Sequence, residues 1–191
     1  MIFETIISSV DEKGNPHVTP FGITMQEDLV VISPYKPSTT LTNILTTKQA
    51  VMNLTDDVRV FAGALTRRQA WLLLPADKVT GFRLADTLAH KELKLVKVLE
   101  DSQRPQLLME VIHEVQHQPF KGFNRAQAAV IELAVLVSRL ERLSKDKVLS
   151  EMAYLQIAID KTAGERELQA WGWLVEKVGN FYAAQSGENF A

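Results

Sequence analysis

The chain has 191 residues, 46% of them hydrophobic and 23% charged, which describes one globular domain, or one domain with a substantial extension, able to bury its own core. A formal net charge of −2 excludes the basic surplus of a general nucleic-acid binder. The absence of cysteine excludes disulfides, iron–sulfur clusters and thiolate zinc sites. The opening residues lack a basic leader and a small-residue cleavage site, and no apolar run approaches a membrane span, so the expectation is a cytoplasmic protein without membrane contact.

In chain order, residues 3–10 are rich in β-branched side chains and end at D-E-K-G-N-P, where Gly14 and Asn15 suit the positive φ of a tight hairpin. Residues 17–24 pair back as a strand. Pro20 marks an edge or a bulge there, because proline has no N–H for a ladder, and Gly22 allows a flat ligand to approach the backbone. A Q-E-D turn leads to an apolar strand ending at Ser33. After Tyr35-Lys36-Pro37, Ser38, Thr39 and Thr40 open a helix over 39–47 that carries Asn43 one turn in. Hydroxyl residues at a helix start leave backbone N–H groups pointing outward, the helix dipole adds partial positive charge, and Lys36 stands beside them. That is an anion site a phosphate would fit; it is equally the description of an ordinary capped helix. Residues 50–54 form the next strand, where Asn53 is polar among apolar neighbours and needs a partner for its amide. A ligand or a backbone loop would serve equally.

Thr55-Asp56-Asp57 reads as a turn or cap rather than a metal carboxylate pair, since no third ligand lies at a useful spacing. Residues 58–65 return to apolar alternation, with Arg59 a candidate charge near a ligand. Residues 81–90 have the spacing of a short helix, and 91–100 alternate as a half-exposed strand. His113-Glu114-Val115-Gln116-His117 matches the H-E-x-x-H pattern of zinc proteases. That motif chelates only on a helix, where positions four apart share a face; on a strand the two histidines stand roughly 13 Å apart along the backbone. Alternation of Leu107, Met109, Val111, His113 and Val115 against their neighbours favours the strand, so no metal site is assigned and a zinc hydrolase is the lesser alternative.

The remainder is helical. Asn124 caps a helix running from Arg125 to about residue 143, a second starts near Ser144, and Thr162-Ala163-Gly164-Glu165 matches the capping box of a last helix on which Leu168, Trp171, Leu174 and Val178 recur at helical spacing. The expected division is 1–118, rich in strands, then 119–182, a helical subdomain, with 183–191 a disordered tail.

The series T-P-F-G, K-P-S-T-T-L-x-N-I and V-x-N-L resembles the FMN-binding split barrels, the group of flavin reductases and pyridoxamine-phosphate-oxidase-like proteins. The blocks at 53–65, 119–132 and 159–173 are similar to one flavoprotein family of uncharacterised activity, found in archaea and methylotrophic bacteria. The resemblance implies an α+β fold, an FMN-binding split β-barrel with a C-terminal helical subdomain, and a homodimer with the flavin at the subunit boundary. It implies that Thr19, Pro20, Phe21, Gly22 and Ile23 lie along the isoalloxazine ring, and that Lys36, Ser38, Thr39, Thr40 and Asn43 serve the phosphate. Asn53 would meet the flavin's polar edge or ribityl chain, and Asn124 and Arg125 would complete the site, Arg125 as a second phosphate contact or a salt bridge at a helix start. The activity implied is a flavin-dependent oxidoreductase of unknown small-molecule substrate, or else a flavin-binding module without turnover. The family's range suggests a link to the one-carbon carrier tetrahydromethanopterin.

Overall fold

The structure, a computed structural model, describes residues 1–68 and 71–186. The chain divides into two compact units, residues 1–56 with 71–120 and residues 57–70 with 121–191. The first unit holds β1 (Ile2–Val10), β2 (Pro16–Gln26), β3 (Leu29–Ile32), α1 (Thr39–Thr47), β4 (Gln49–Leu54), β5 (Leu73–Pro75), β6 (Phe82–Leu84), β7 (Ala89–Leu99) and β8 (Gln106–Gln116). The second holds α2 (Arg59–Thr66), α3 (Arg125–Val137), α4 (Lys145–Thr162) and α5 (Glu165–Ser186).

Six strands close an antiparallel barrel in the order β1-β2-β3-β8-β7-β4, and β5 and β6 form a separate two-stranded sheet. Strand alternation decides which side chains enter the barrel. Ile7, Ile23, Val30, Ile32, Ala50, Met52, Leu93, Leu107 and Met109 make its core, and α1 adds Leu41 and Ile44. A helix is too wide for the lumen of a six-stranded barrel, so α1 covers one end, against β1 and β2. The alternate positions Ser8, Val51, Asn53, His90 and Glu92 are also buried, on the outer wall, where the β5–β6 segment covers them. Closure is uneven. β2 pairs with β1 from Pro16 to Thr24 but with β3 only through Thr24, Met25 and Gln26.

The helical unit buries Ala126, Val130, Leu133, Ile159, Trp171, Leu174 and Val178 in a core of its own. Residues 58–65 are α2 within this unit, not a strand: Val58 and Ala62 lie one helical turn apart in the core with Leu65 against them, a pattern an eight-residue window does not separate from alternation. Residues 81–90 hold β6 and a turn instead of a helix, with the Thr87 hydroxyl donating to the carbonyls of Leu54 and Ala89. α3 ends at Val137, short of 143, and a 3-10 turn, Leu140–Arg142, follows. Of the four residues at helical spacing on α5, Trp171, Leu174 and Val178 are buried and Leu168 is 55% exposed. The cap of α5 is displaced by two residues from the expected box: Gly164 N–H donates to the Glu167 carboxylate, while Thr162 belongs to α4 and accepts from Ala126 N–H. α5 continues through Ser186, past 182; residues 187–191 of the expected tail lie outside the described residues.

Candidate ligand site at the barrel opening

The start of α1 is a capped N-terminus. Ser38 is the N-cap, extended in backbone, its Oγ accepting from Leu41 N–H at 3.3 Å, and its carbonyl accepts from Thr42 N–H. The first N–H groups of the helix have no intrahelical acceptor. Beside them Thr40 is fully buried, and its hydroxyl has no hydrogen-bond partner. An orphaned buried hydroxyl costs about 1–3 kcal/mol, so its persistence at a helix start points to an acceptor that belongs there. Asn43, one turn on, is buried and donates to Ser9 Oγ at 3.1 Å, which ties α1 to β1. Lys36 is turned aside: its Nζ donates to the Asp101 carbonyl at 2.9 Å and lies 3.7 Å from Glu100, at the β7–β8 turn. Asp101 is held below the usual carboxylate range by backbone N–H bonds from Arg104 and Gln103, with Lys36 adding to the effect.

The other side of the opening is β2. From Pro16 to Ile23 it pairs with β1 alone, so its second edge offers backbone polar groups to no strand among the described residues. Thr19, Pro20, Phe21 and Gly22 are half-buried and Ile23 sits in the barrel core. Phe21 is anchored through its carbonyl, which accepts from Thr5 Oγ1. The space that Gly22 leaves is not empty: a Cβ there would meet Ile2 Cγ2 at 2.9 Å and Glu4 Oε1 at 3.3 Å. α1, which carries the hydroxyl cluster, packs on β1 and on β2, the strand that carries the open edge.

Asn53 is not brought to this opening. It stands on the outer wall of β4, where Nδ2 donates to Ser8 Oγ at 3.1 Å and to the Ile6 carbonyl at 3.3 Å, and Oδ1 accepts from Leu84 N–H at 2.8 Å. Of the two partners open to it in the sequence, the backbone segment is the one found. Asn124 and Arg125 lie in the helical unit, where Asn124 caps α3 by accepting from Ala126 and Gln127 N–H and Arg125 is exposed. Arg59 is occupied with Asp57, which also accepts from Arg59 N–H, so Asp57 takes the turn-and-cap role.

The H-E-V-Q-H segment lies at the end of β8, with His113 opposite Glu92 on β7 and His117 just beyond the strand. Both histidines nonetheless reach His90. His117 Nε2 is 2.9 Å from His90 Nδ1 with the rings parallel, and the His113 ring stands edge-on at 6.2 Å. Burial pushes the Glu92 carboxyl up, yet N–H bonds from Asp77, Lys78 and Val79 and the contact with His90 outweigh it and hold the group below its ordinary range. The ionised Glu92 carboxylate accepts from His90 Nε2–H, which leaves His90 Nδ1 to accept from His117 Nε2–H. Burial first, then the positive charge of Arg83 and the neighbouring His90, hold His117 below the usual histidine range, with Asp77 opposing. Sequence reading missed this cluster; its signal was His90 and Glu92 at alternate positions of one strand, polar on the same face as Asn53's neighbours.

The fold and this opening define a split β-barrel protein. The chain belongs to the family described as protein of unknown function (DUF447), whose N-terminal domain matches residues 3–118 and whose C-terminal portion matches 124–176. Its structure is similar to that of the FMN-bound protein MM1853 from Methanosarcina mazei, of the same family, with a TM-score of 0.79 and 20% identity over 92% of this chain and 94% of that one. It is similar to the 2-nitrobenzoate 2-nitroreductase NbaA of Pseudomonas fluorescens, with a TM-score of 0.53 and 23% identity over 60% of this chain and 64% of that one. An FMN-binding protein from Thermus thermophilus with bound 1-cyclohex-2-enone gives 0.51 and 12% over 59% and 69%. No curated protein matches the chain. Among the described residues no helix is long and apolar enough to cross a membrane.

Proposed function

We propose that this chain binds FMN between the start of α1 and the open edge of β2 and acts as a flavin-dependent oxidoreductase on a small molecule. The observation that carries the reading is Thr40, whose buried hydroxyl lacks a partner at a helix start capped by Ser38. A phosphate there takes the Thr39 and Thr40 N–H groups, the dipole of α1 and the hydroxyls of Ser38 and Thr40. Asn43 fixes the helix against β1, and Lys36 contributes charge from the neighbouring turn without direct contact. The backbone of 19–23 then lies along the ring. Even positions of β2 share one edge, and proline nitrogens sit on the unpaired side of a sheet, so with Pro16 and Pro20 there, Val18 and Gly22 supply the N–H groups for the flavin's polar rim.

Bound FMN supplies the hydride chemistry; the chain binds it, orients it and shields one face with the barrel wall. The FMN-bound relative in the same family and the nitroreductase and FMN-binding neighbours support this reading. We further propose a cytoplasmic homodimer in which Asn124 and Arg125 complete the flavin site. Titration of the purified chain with FMN and riboflavin, followed by flavin fluorescence, tests the FMN reading. FMN should bind at least about ten-fold tighter, the worth of one hydrogen bond to a charged acceptor. Equal affinity would remove the phosphate site, and bound FMN that NAD(P)H leaves oxidised would reduce the protein to a flavin-binding module.

A further inference from the structure

We propose that Asp77, Glu92 and His113 form a binding site for one divalent transition-metal ion of the zinc class, on the outer wall of the barrel. One ligand atom from each lies within 4.8 Å of the others. His113 Nε2 is 3.4 Å from Asp77 Oδ2, beyond the roughly 2.7–2.9 Å of a charge-assisted hydrogen bond. It equals the edge of a tetrahedron whose metal–ligand bonds are about 2.1 Å, which is about 3.4 Å. Length therefore favours a shared cation over a direct bond.

Charge points the same way. Glu92 is fully buried, and its hydrogen-bond partners are three backbone N–H groups and His90, with no lysine or arginine among them. The same loop that wraps Glu92 brings a second carboxylate, Asp77, beside it. Two carboxylates at that range repel in a partly dry site, and a divalent ion neutralises both while imidazole enters as a neutral ligand. The mixed nitrogen and oxygen set favours zinc and its neighbours over calcium or magnesium.

The supporting shell is built. Asp77 N–H donates to Glu92 Oε1 at 2.7 Å, which fixes the loop that carries the Asp77 side chain. The second contact on Oε1, from His90 Nε2, is long at 3.3 Å and leaves that oxygen room to coordinate. His117 holds His90 in turn, so two histidines stand behind the ligands as outer partners. Asp77 and His113 keep side-chain exposures of 60% and 29%, which gives an ion a route from solvent and leaves a coordination position open. The set differs from the protease motif, because only His113 of H-E-V-Q-H ligates; Glu114 pairs with Lys91 at 3.0 Å.

The site does not rest on FMN binding. The test uses the full, untagged chain stripped with chelator and dialysed against zinc alone, with cobalt(II) absorption as a second readout. One zinc per chain is expected, with a tetrahedral cobalt spectrum. His113→Ala and Asp77→Asn should each weaken zinc by at least about 30-fold, and His117→Ala by no more than about ten-fold, the lower end of outer-partner effects. Asp77 is exposed, so its variant should melt without metal as the parent does, and zinc should raise the melting temperature of the parent alone. No bound zinc would overturn the proposal. So would undiminished zinc in both ligand variants, or loss in His117→Ala as complete as in His113→Ala.

Discussion

A single hydroxyl separates folding from ligand binding in this barrel. Thr40 Oγ1 is buried without a partner, so in the flavin-free chain it contributes a desolvation cost and no bond. Thr40→Val keeps the shape and removes the polar atom. The flavin-free variant should be as stable as the parent or more stable, by about 1 kcal/mol in chemical denaturation, while FMN affinity falls roughly ten-fold and riboflavin affinity holds. Loss of stability together with unchanged FMN binding would mean that the hydroxyl serves the fold and the phosphate sits elsewhere. Asn53 is the contrasting residue: both ends of its amide are taken by chain, and it secures β6 to the wall. At this scale the sequence was legible where the chemistry is local, as at the Ser38 and Asn124 caps. It was not legible where a partner comes from far along the chain, as Leu84 does for Asn53 and Asp101 for Lys36.

At the scale of elements, α1 both caps the barrel core and carries the proposed anion site, so on this reading one helix answers to packing and to ligand. Ile44 is fully buried in that core on the face opposite the helix's exposed Thr42 and Leu45. Ile44→Ala should cost about 2–5 kcal/mol, read as a lowered denaturant midpoint, and should weaken FMN through the displaced helix start even though it touches no ligand. Normal stability in that variant would show that α1 is not part of the barrel core. Strands of the barrel were readable because alternation and turn residues coincide: Gly14, at a φ of 83°, closes the first hairpin where the sequence puts a turn. α2 was not readable, since eight residues of mixed apolar character satisfy both periods and only its place in the helical core decides between them. The β5–β6 cover escaped for a related reason. Its strands are three residues long, too short for any period.

For the molecule as a whole, acid acts through several separated groups in one direction. Burial lowers His17, so its neutral form is preferred in the fold. The unfolded chain then binds more protons below the ordinary value of 6.5, and stability that is complete above that value falls as the pH drops towards the folded one. Asp11, lowered by its bonds with Asn15, and Asp101 hold stability that is complete above 3.8 and is lost as pH falls through their folded values. Denaturant midpoints in chelator should therefore decline in two stages, and His17→Gln should shrink the first, to which His117 also contributes; a midpoint that rises on acidification would contradict the assignment. The unequal closure of the barrel has a consequence beyond ligand binding. Residues 16–23 of β2 pair with β1 alone among the described residues, and their second edge is the kind of border on which another chain can add a strand. Pro16 and Pro20 stand on it four residues apart, and neither can donate to an incoming strand. The prolines thereby hinder polymerisation by edge addition at the edge proposed to receive the flavin, and replacing both would expose the molecule to self-association that no loss of core packing could explain.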